Sequence, residues 1–292
     1  MESDIFKRNE GLVDVPVLAR KTVVLIGLGS VGAGAALWLA KSGVGNFRLV
    51  DYEKVAADNV CRHIAGLSKV GCYKTEAAQD VLDDKNPSAS VQTFETDITN
   101  ISEDERDAIF SDADLIIAST DSNLAQFTVN QISLSLNIPA IYIGCYERAS
   151  GGEIVYVIPG ETPCFNCAFE ARTKNLKPVR ERKTSLAYTS VLTESQADRF
   201  EAEPGLAVDI DYITVSAMPY ALALLDPRSK RRFLLERDKN VIFISSGCQP
   251  HWIFEKPFSR ILGKPERGCS ICEKDKYYGF SEEEALEKLG LE

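Results

Sequence analysis

Apolar positions along the chain fall into short β-branched runs separated by stretches with helical spacing. "TVVLIG" (Thr22–Gly27) is uncharged and rich in Val and Ile, the pattern of a strand covered on both faces. A helical stretch, "AGAALWLAKSG", follows and is stopped by Gly43. "FRLVD" (Phe47–Asp51) reads as a second strand, and "KTEAAQDVLDDKNPSA" as a helix ended by Asn86–Pro87. "SVQTFETDI" predicts a third strand, "SEDERDAIFSDA" a short acidic helix and "DLIIASTD" (Asp114–Asp121) a fourth strand. "SNLAQFTVNQISLSLN" predicts a helix and "PAIYIGCYE" a fifth strand. Strand and helix thus alternate over about 145 residues, which predicts a doubly wound, mostly parallel sheet.

Beyond this region, "GGEIVYVIPG" and "NVIFISSG" read as C-terminal strands that extend the sheet. Residues 170–205 are rich in charge and Ser/Thr without periodicity, and predict a long mobile loop. An apolar helix is expected over Ile213–Leu225, and a polar C-terminal helix over "SEEEALEKLGLE". The fold class is therefore α/β, a Rossmann-like sheet extended by C-terminal strands. No internal repeat or low-complexity linker divides the chain, so residues 1–292 are read as one elaborated domain. Its two halves, about 1–150 and about 151–292, carry different motifs.

Composition narrows the functional classes. At 45% hydrophobic and 26% charged over 292 residues, the chain can build a sizeable core. A net charge of −10 argues against a general nucleic-acid binder, but leaves room for a local basic site aimed at an anion. The uncharged run Val23–Ala40 touches the membrane-span threshold, yet its closely spaced glycines fit a strand, a turn and a helix better. The N-terminal residues show no apolar signal segment, so a cytoplasmic, reducing location with no membrane partner is expected. In such a compartment, paired cysteines point to metal more often than to disulfides.

The glycine turn Gly27-Leu28-Gly29-Ser30-Val31-Gly32 fits GxGxxG between a strand and a helix. Glycines there allow a tight turn, and the helix N-terminus offers N–H groups to a phosphate. Asp51, at the end of the next strand, suits ribose hydroxyls. This much does not separate NAD from ATP. Asn59, Arg62 and Lys74 follow in one long connection, and Asp121 ends the fourth strand. The cations Arg62 and Lys74 suit neutralising phosphates, Asn59 adds a donor, and a separate carboxylate suits holding magnesium, which favours a triphosphate. Taken singly, Arg62 and Lys74 also fit surface charges, Asn59 a turn and Asp121 a helix N-cap.

Four of the eight cysteines form two CxxC pairs, Cys164/Cys167 and Cys269/Cys272. The set fits a closed, structural Cys₄ zinc site; redox or disulfide use of the pairs is the competing reading. Cys61, Cys72 and Cys145 read as small packed residues, His63 and His251 as structural, and Cys248 as a buried thiol after a strand.

Together these motifs resemble the ThiF/MoeB/HesA family of ubiquitin-activating-type adenylating enzymes. The matching stretches are "GLGSVG", "GVGNFRLVDYEKVAADNVCRH", "KVGCYKTEAA", "STDSN", "VIPGETPCFNC" and "GCSIC". The resemblance implies an adenylation domain with a nucleotide-binding first half and a zinc-bearing, partner-binding second half. It implies ATP-dependent adenylation of the C-terminal carboxylate of a β-grasp, ubiquitin-like protein with a Gly-Gly tail. Gly27, Gly29, Gly32 and Asp51 would then bind nucleotide, and Asn59, Arg62 and Lys74 would hold the phosphates. Asp121 would ligate magnesium, with Zn²⁺ on the four cysteines. Arg8, in "FKRN", would reach into the ATP site of a second copy, which implies a homodimer.

Relatives that resemble the chain most carry an acceptor cysteine between the first CxxC and the apolar helix. Here Ala168–Gly247 contains none. The expectation is an enzyme that stops at the acyl-adenylate or hands it directly to a downstream carrier or conjugating enzyme. Activation of another carboxylate, on a peptide terminus or in tRNA modification, is the alternative, and the acidic charge weighs against tRNA. An NAD-linked oxidoreductase leaves the Arg/Lys/Asp set unexplained, as does a non-catalytic scaffold.

Overall fold

The structure is a computed structural model that describes residues 5–169, 204–247, 256–266, 268, 269, 271 and 272. Eight strands form one sheet: β1 (Thr22–Ile26), β2 (Asn46–Val50), β3 (Ser90–Phe94), β4 (Leu115–Ala118), β5 (Ala140–Cys145), β6 (Gly151–Val157), β7 (Val241–Ser245) and β8 (Arg260–Gly263). Their spatial order is β3-β2-β1-β4-β5-β6-β7-β8. The first five are parallel, and β6, β7 and β8 are added antiparallel.

The helices that accompany them include α1 (Val15–Leu18), α2 (Ser30–Ser42), α3 (Lys74–Lys85), α4 (Glu103–Phe110), α5 (Asn123–Leu136) and α6 (Ala207–Leu225). Alternate strand residues divide between two cores. Val23, Leu25, Leu115, Ile117, Ile141 and Ile143 pack with α2, α3 and α6. Val24, Ile26, Ile116, Ala118, Ala140 and Tyr142 pack with α4 and α5. Both faces of β1, β4 and most of β5 are covered, which is why these strands read as apolar runs. β1 lies between β2 and β4, so the chain reverses its winding at β1/β4 and opens a crevice beyond the strands' C-terminal ends.

Local chemistry sets the helix ends. Ser102 and Glu105 form a capping box on α4. The Ser122 hydroxyl caps α5 at the Ala125 N–H, and Asn137 closes that helix in a left-handed conformation. Gly43, at φ +100°, ends α2 as the sequence predicts.

Three elements differ from expectation. α6 starts at Ala207, two turns before Ile213, because Ile210 and Asp209 turn inward with the later apolar residues. The third strand ends at Phe94, and Asp97 instead caps a 3-10 turn through the Thr99 N–H. β8 is an exposed edge strand with no apolar alternation to announce it. By length and apolarity alone α6 would pass for a membrane span, but Ile213, Ala217 and Ala221 are fully buried against the sheet and α2. The expected loop over 170–205 falls outside the described residues except for its last two. The expected C-terminal helix, Cys248 and His251 also fall outside them.

Candidate active site

The crevice is built from the strand ends inward. Gly27 leaves β1 at φ +86°, a conformation an L side chain would strain. A Cβ there would also press on the Ser119–Thr120 peptide. Gly29 is the N-cap of α2, makes no side-chain cap, and faces open space, so the helix N-terminus is left to a ligand. Gly32 sits where any Cβ would fall on the Gly27 carbonyl and the Ser119 hydroxyl, and Ser119 Oγ already donates to Gly27 O at 2.8 Å. Gly32→Ala is therefore expected to destabilise the fold by about 1–3 kcal/mol through overpacking at the turn. Thermal unfolding checks this, and an unchanged midpoint would refute the close packing.

Asp51 holds the turn from the neighbouring strand. Its Oδ2 accepts from the Leu28 N–H at 2.6 Å and its Oδ1 from the Glu53 N–H at 2.8 Å. Burial pushes the carboxyl up; the two N–H groups and the Lys74 charge pull it back. Lys74, the first residue of α3, is only 9% exposed and ion-pairs with Glu53. It is thus no solvated surface charge. Glu53 was not anticipated, although its place two residues after Asp51 in "DYE" was the available signal.

Asn59 lies in a 3-10 turn (Ala57–Asn59), with its Oδ1 accepting from the Ala56 N–H and its Nδ2 donating to Asp58. In this state it is the turn residue of the simpler reading. The backbone of that turn carries Arg62, whose N–H donates to Asn59 O at 2.9 Å. Arg62 is half-buried.

Asp121 is exposed beyond β4. Since Ser122 caps α5, the carboxylate of Asp121 is not used as a cap. Cys145, at the end of β5, ties this corner together. The residue is exposed, yet protein crowds its thiol and pushes it up to about 12; Asp121 adds to the rise and Arg62 opposes it. Arg62, Asp121 and Cys145 therefore share one corner of the cleft. Cys61 is also exposed and Cys72 half-buried, so neither of these two is the packed residue that the sequence suggests.

A single exposed carboxylate beside a bound polyphosphate is a donor set suited to magnesium, and Asp121 would hold it. The ion would neutralise phosphate charge; Arg62 and Lys74 supply further positive charge from the chain itself.

Arg8 does not reach this cleft in its own chain. It is exposed in the 3-10 turn Lys7–Asn9, which Asn9 ties to Lys41 O near the C-terminal end of α2. That end lies roughly 17 Å along the helix from the glycine turn.

The four CxxC cysteines form a separate cluster. Their sulfurs are 3.9 Å apart for Cys164–Cys167, 3.5 Å for Cys164–Cys269, 3.5 Å for Cys167–Cys272 and 3.6 Å for Cys269–Cys272. Tetrahedral zinc with Zn–S bonds of about 2.3 Å needs separations of about 3.8 Å, so the residues fit the ion. Cys164, Cys167 and Cys269 are buried, as a closed structural site requires. Asn130 Oδ1 accepts from the Phe165 N–H, Asn240 Nδ2 donates to Pro163 O, and Phe165 stacks on Tyr142, which fixes the first CxxC turn. The cluster follows β6, whose Val157 pairs with Ala140 at the start of β5. Cys145 ends β5, so cluster and cleft lie towards opposite ends of the sheet.

A doubly wound sheet with a glycine turn, a strand-end aspartate and a basic connector defines a nucleotide-binding α/β protein. The chain belongs to the ThiF family, whose sequence profile matches residues 8–225. It is 33% identical over 172 residues to "Ubiquitin-like modifier-activating enzyme 5" of Arabidopsis thaliana, a match covering 54% of this chain and 40% of that one. It is 30% identical over 179 residues to "Adenylyltransferase and sulfurtransferase UBA4" of Kluyveromyces lactis, covering 58% and 39%. The matches thus span about two fifths of these relatives' length. Among solved folds, E. coli MccB with ATP superposes at a TM-score of 0.65 and 21% identity, over 88% of this chain and 68% of that one. PaaA superposes at 0.61 and 18%, over 86% and 66%.

Proposed function

We propose that this chain is an ATP-dependent adenylating enzyme acting on the C-terminal carboxylate of a ubiquitin-like, β-grasp protein with a Gly-Gly tail. The observation that carries the reading is that Arg62 and Asp121 both lie within electrostatic reach of the Cys145 thiol at the end of β5, beside the crevice that holds the glycine turn and the buried Lys74. Relatives named for ubiquitin-like modifier activation support the choice of substrate.

In this reading the adenosine ribose meets Asp51, and Asn59, Arg62 and Lys74 hold the phosphates. The substrate carboxylate attacks the α-phosphorus, an acyl–phosphate bond forms, and the α–β bridging oxygen leaves with pyrophosphate. A carboxylate is already ionised at neutral pH, so positioning and charge neutralisation suffice and no general base is needed. Arg8 of one copy serves the site of a second in a homodimer.

The acyl-adenylate is the end point or goes directly to a partner's nucleophile. Ala168–Gly247 has no cysteine, and the Cys145 thiol, raised to about 12, stays protonated at neutral pH and is a weak nucleophile. A cytoplasmic, reducing setting would keep the four clustered thiols available to zinc.

The test is ATP–pyrophosphate exchange with a Gly-Gly-tailed β-grasp protein, against the same protein lacking the two glycines. Exchange that needs the intact tail is expected. Binding of NAD in preference to ATP, or exchange indifferent to the tail, would defeat the reading.

A further inference from the structure

We propose that His63 is a positioning residue for the nucleotide's phosphates: it fixes the Leu28 peptide of the glycine turn and registers Arg62 against it. The inference rests on the nucleotide reading above and adds a residue to which that reading gives no part.

The Leu28 peptide groups are gripped from two sides. Asp51 Oδ2 accepts from the Leu28 N–H at 2.6 Å, and His63 Nε2 meets the Leu28 carbonyl oxygen at 2.8 Å. The ring's other nitrogen, Nδ1, accepts from the Ala65 N–H at 3.0 Å. An Nδ1 that accepts leaves the proton on Nε2, so His63 donates to Leu28 O as the neutral Nε2–H tautomer. Burial lowers the His63 pKa, the Leu28 bond opposes this, Lys74 adds to the lowering, and Asp51 opposes it.

The ring is 8% exposed and belongs to the same connector that carries Asn59 and Arg62. Its backbone N–H donates to Asn59 O at 2.8 Å, beside the Arg62 N–H bond to that same oxygen. Fixing His63 to Leu28 therefore sets the origin of the Arg62 side chain relative to Gly27 and Gly29. Without the ring, the Leu28 carbonyl loses its buried donor, and connector and turn can separate while each stays folded. A merely structural histidine would be indifferent to the presence of phosphates on the ligand. A positioning one would not.

The experiment compares wild type, His63→Ala and His63→Gln for binding of Mg·ATP and of adenosine, which has no phosphates, together with amide exchange at Leu28. His63→Ala is expected to weaken ATP binding about tenfold, from one lost buried hydrogen bond, with adenosine affinity held within about twofold. The Leu28 amide should exchange faster in the same variant. Gln keeps an N–H donor at this place, so His63→Gln should restore most of the ATP affinity and the amide protection. Wild-type ATP binding with no change in His63→Ala would overturn this inference alone. Equal loss of ATP and adenosine would do the same, by reducing His63 to a structural residue. A wild-type protein that binds no ATP would defeat the nucleotide reading and this inference together.

Discussion

Asp121→Ala is expected to lower adenylate formation by a factor on the order of 10²–10³, from loss of the metal-holding carboxylate where phosphate charge develops. The variant should fold normally. Asp121 is exposed, and the hydrogen bond that starts α5 comes from Ser122, so little stability rests on it. A readout independent of catalysis is available at Cys145, whose thiol is held at about 12 by burial and then by Asp121, against Arg62. A neighbouring negative charge disfavours the thiolate, so removing it while Arg62 stays must lower the pKa. Alkylation of Cys145 in the variant should therefore rise at lower pH than in wild type. Lost exchange with a shifted alkylation profile supports the assignment. Unchanged exchange would show that Asp121 does not serve the reaction, and an unchanged profile would place it away from Cys145.

The parts of this cleft that were legible in the sequence are those whose residue type alone carries the chemistry. Glycines at 27, 29 and 32 announce the tight turn between β1 and α2, and the strand-end Asp51 is the carboxylate that holds it. The supporting contacts were not legible. His63 meets a backbone carbonyl of Leu28, which has no sequence signature, and Glu53 is one acid among many until Lys74 is seen beside it. Cys145 lies within the stretch that reads as the fifth strand, but β5 ends on it and the chain turns away through left-handed Arg148 and Ala149, positions that nothing in their residue types marks. The fold shows the same division. Strands β1, β4 and β5 declare themselves as apolar runs covered on both faces, whereas β8 has only an exposed edge. The first turns of α6 were hidden because Asp209 and Asp211 interrupt an apolar pattern that tertiary packing nonetheless completes.

Cys167→Ser is expected to lower the unfolding midpoint by an amount on the order of 10 °C and to reduce bound zinc well below one ion per chain. The size follows from what the cluster joins. Cys164 and Cys269 are 105 residues apart in sequence, as are Cys167 and Cys272, so one ion would close a very long loop from both CxxC turns. Just before Cys269 the chain is held by β8, an exposed edge strand paired only with β7, while the cysteines themselves pack into the α4–α5 core. A serine at 167 removes one thiolate from a closed tetrahedron and leaves three sulfurs facing one another without the ion that reconciles them. Cys61→Ser, at an exposed position outside the cluster, should change neither zinc content nor midpoint and serves as the control. ATP affinity of the folded Cys167→Ser protein should stay within about threefold, because Val157 leads to the cluster from the Ala140 end of β5 while the cleft lies at the Cys145 end. Zinc-free wild-type protein with an unshifted midpoint would remove the metal from the account of stability. Loss of ATP binding in step with zinc, below the unfolding midpoint, would instead make the cluster part of the cleft and contradict the separation that the sheet imposes.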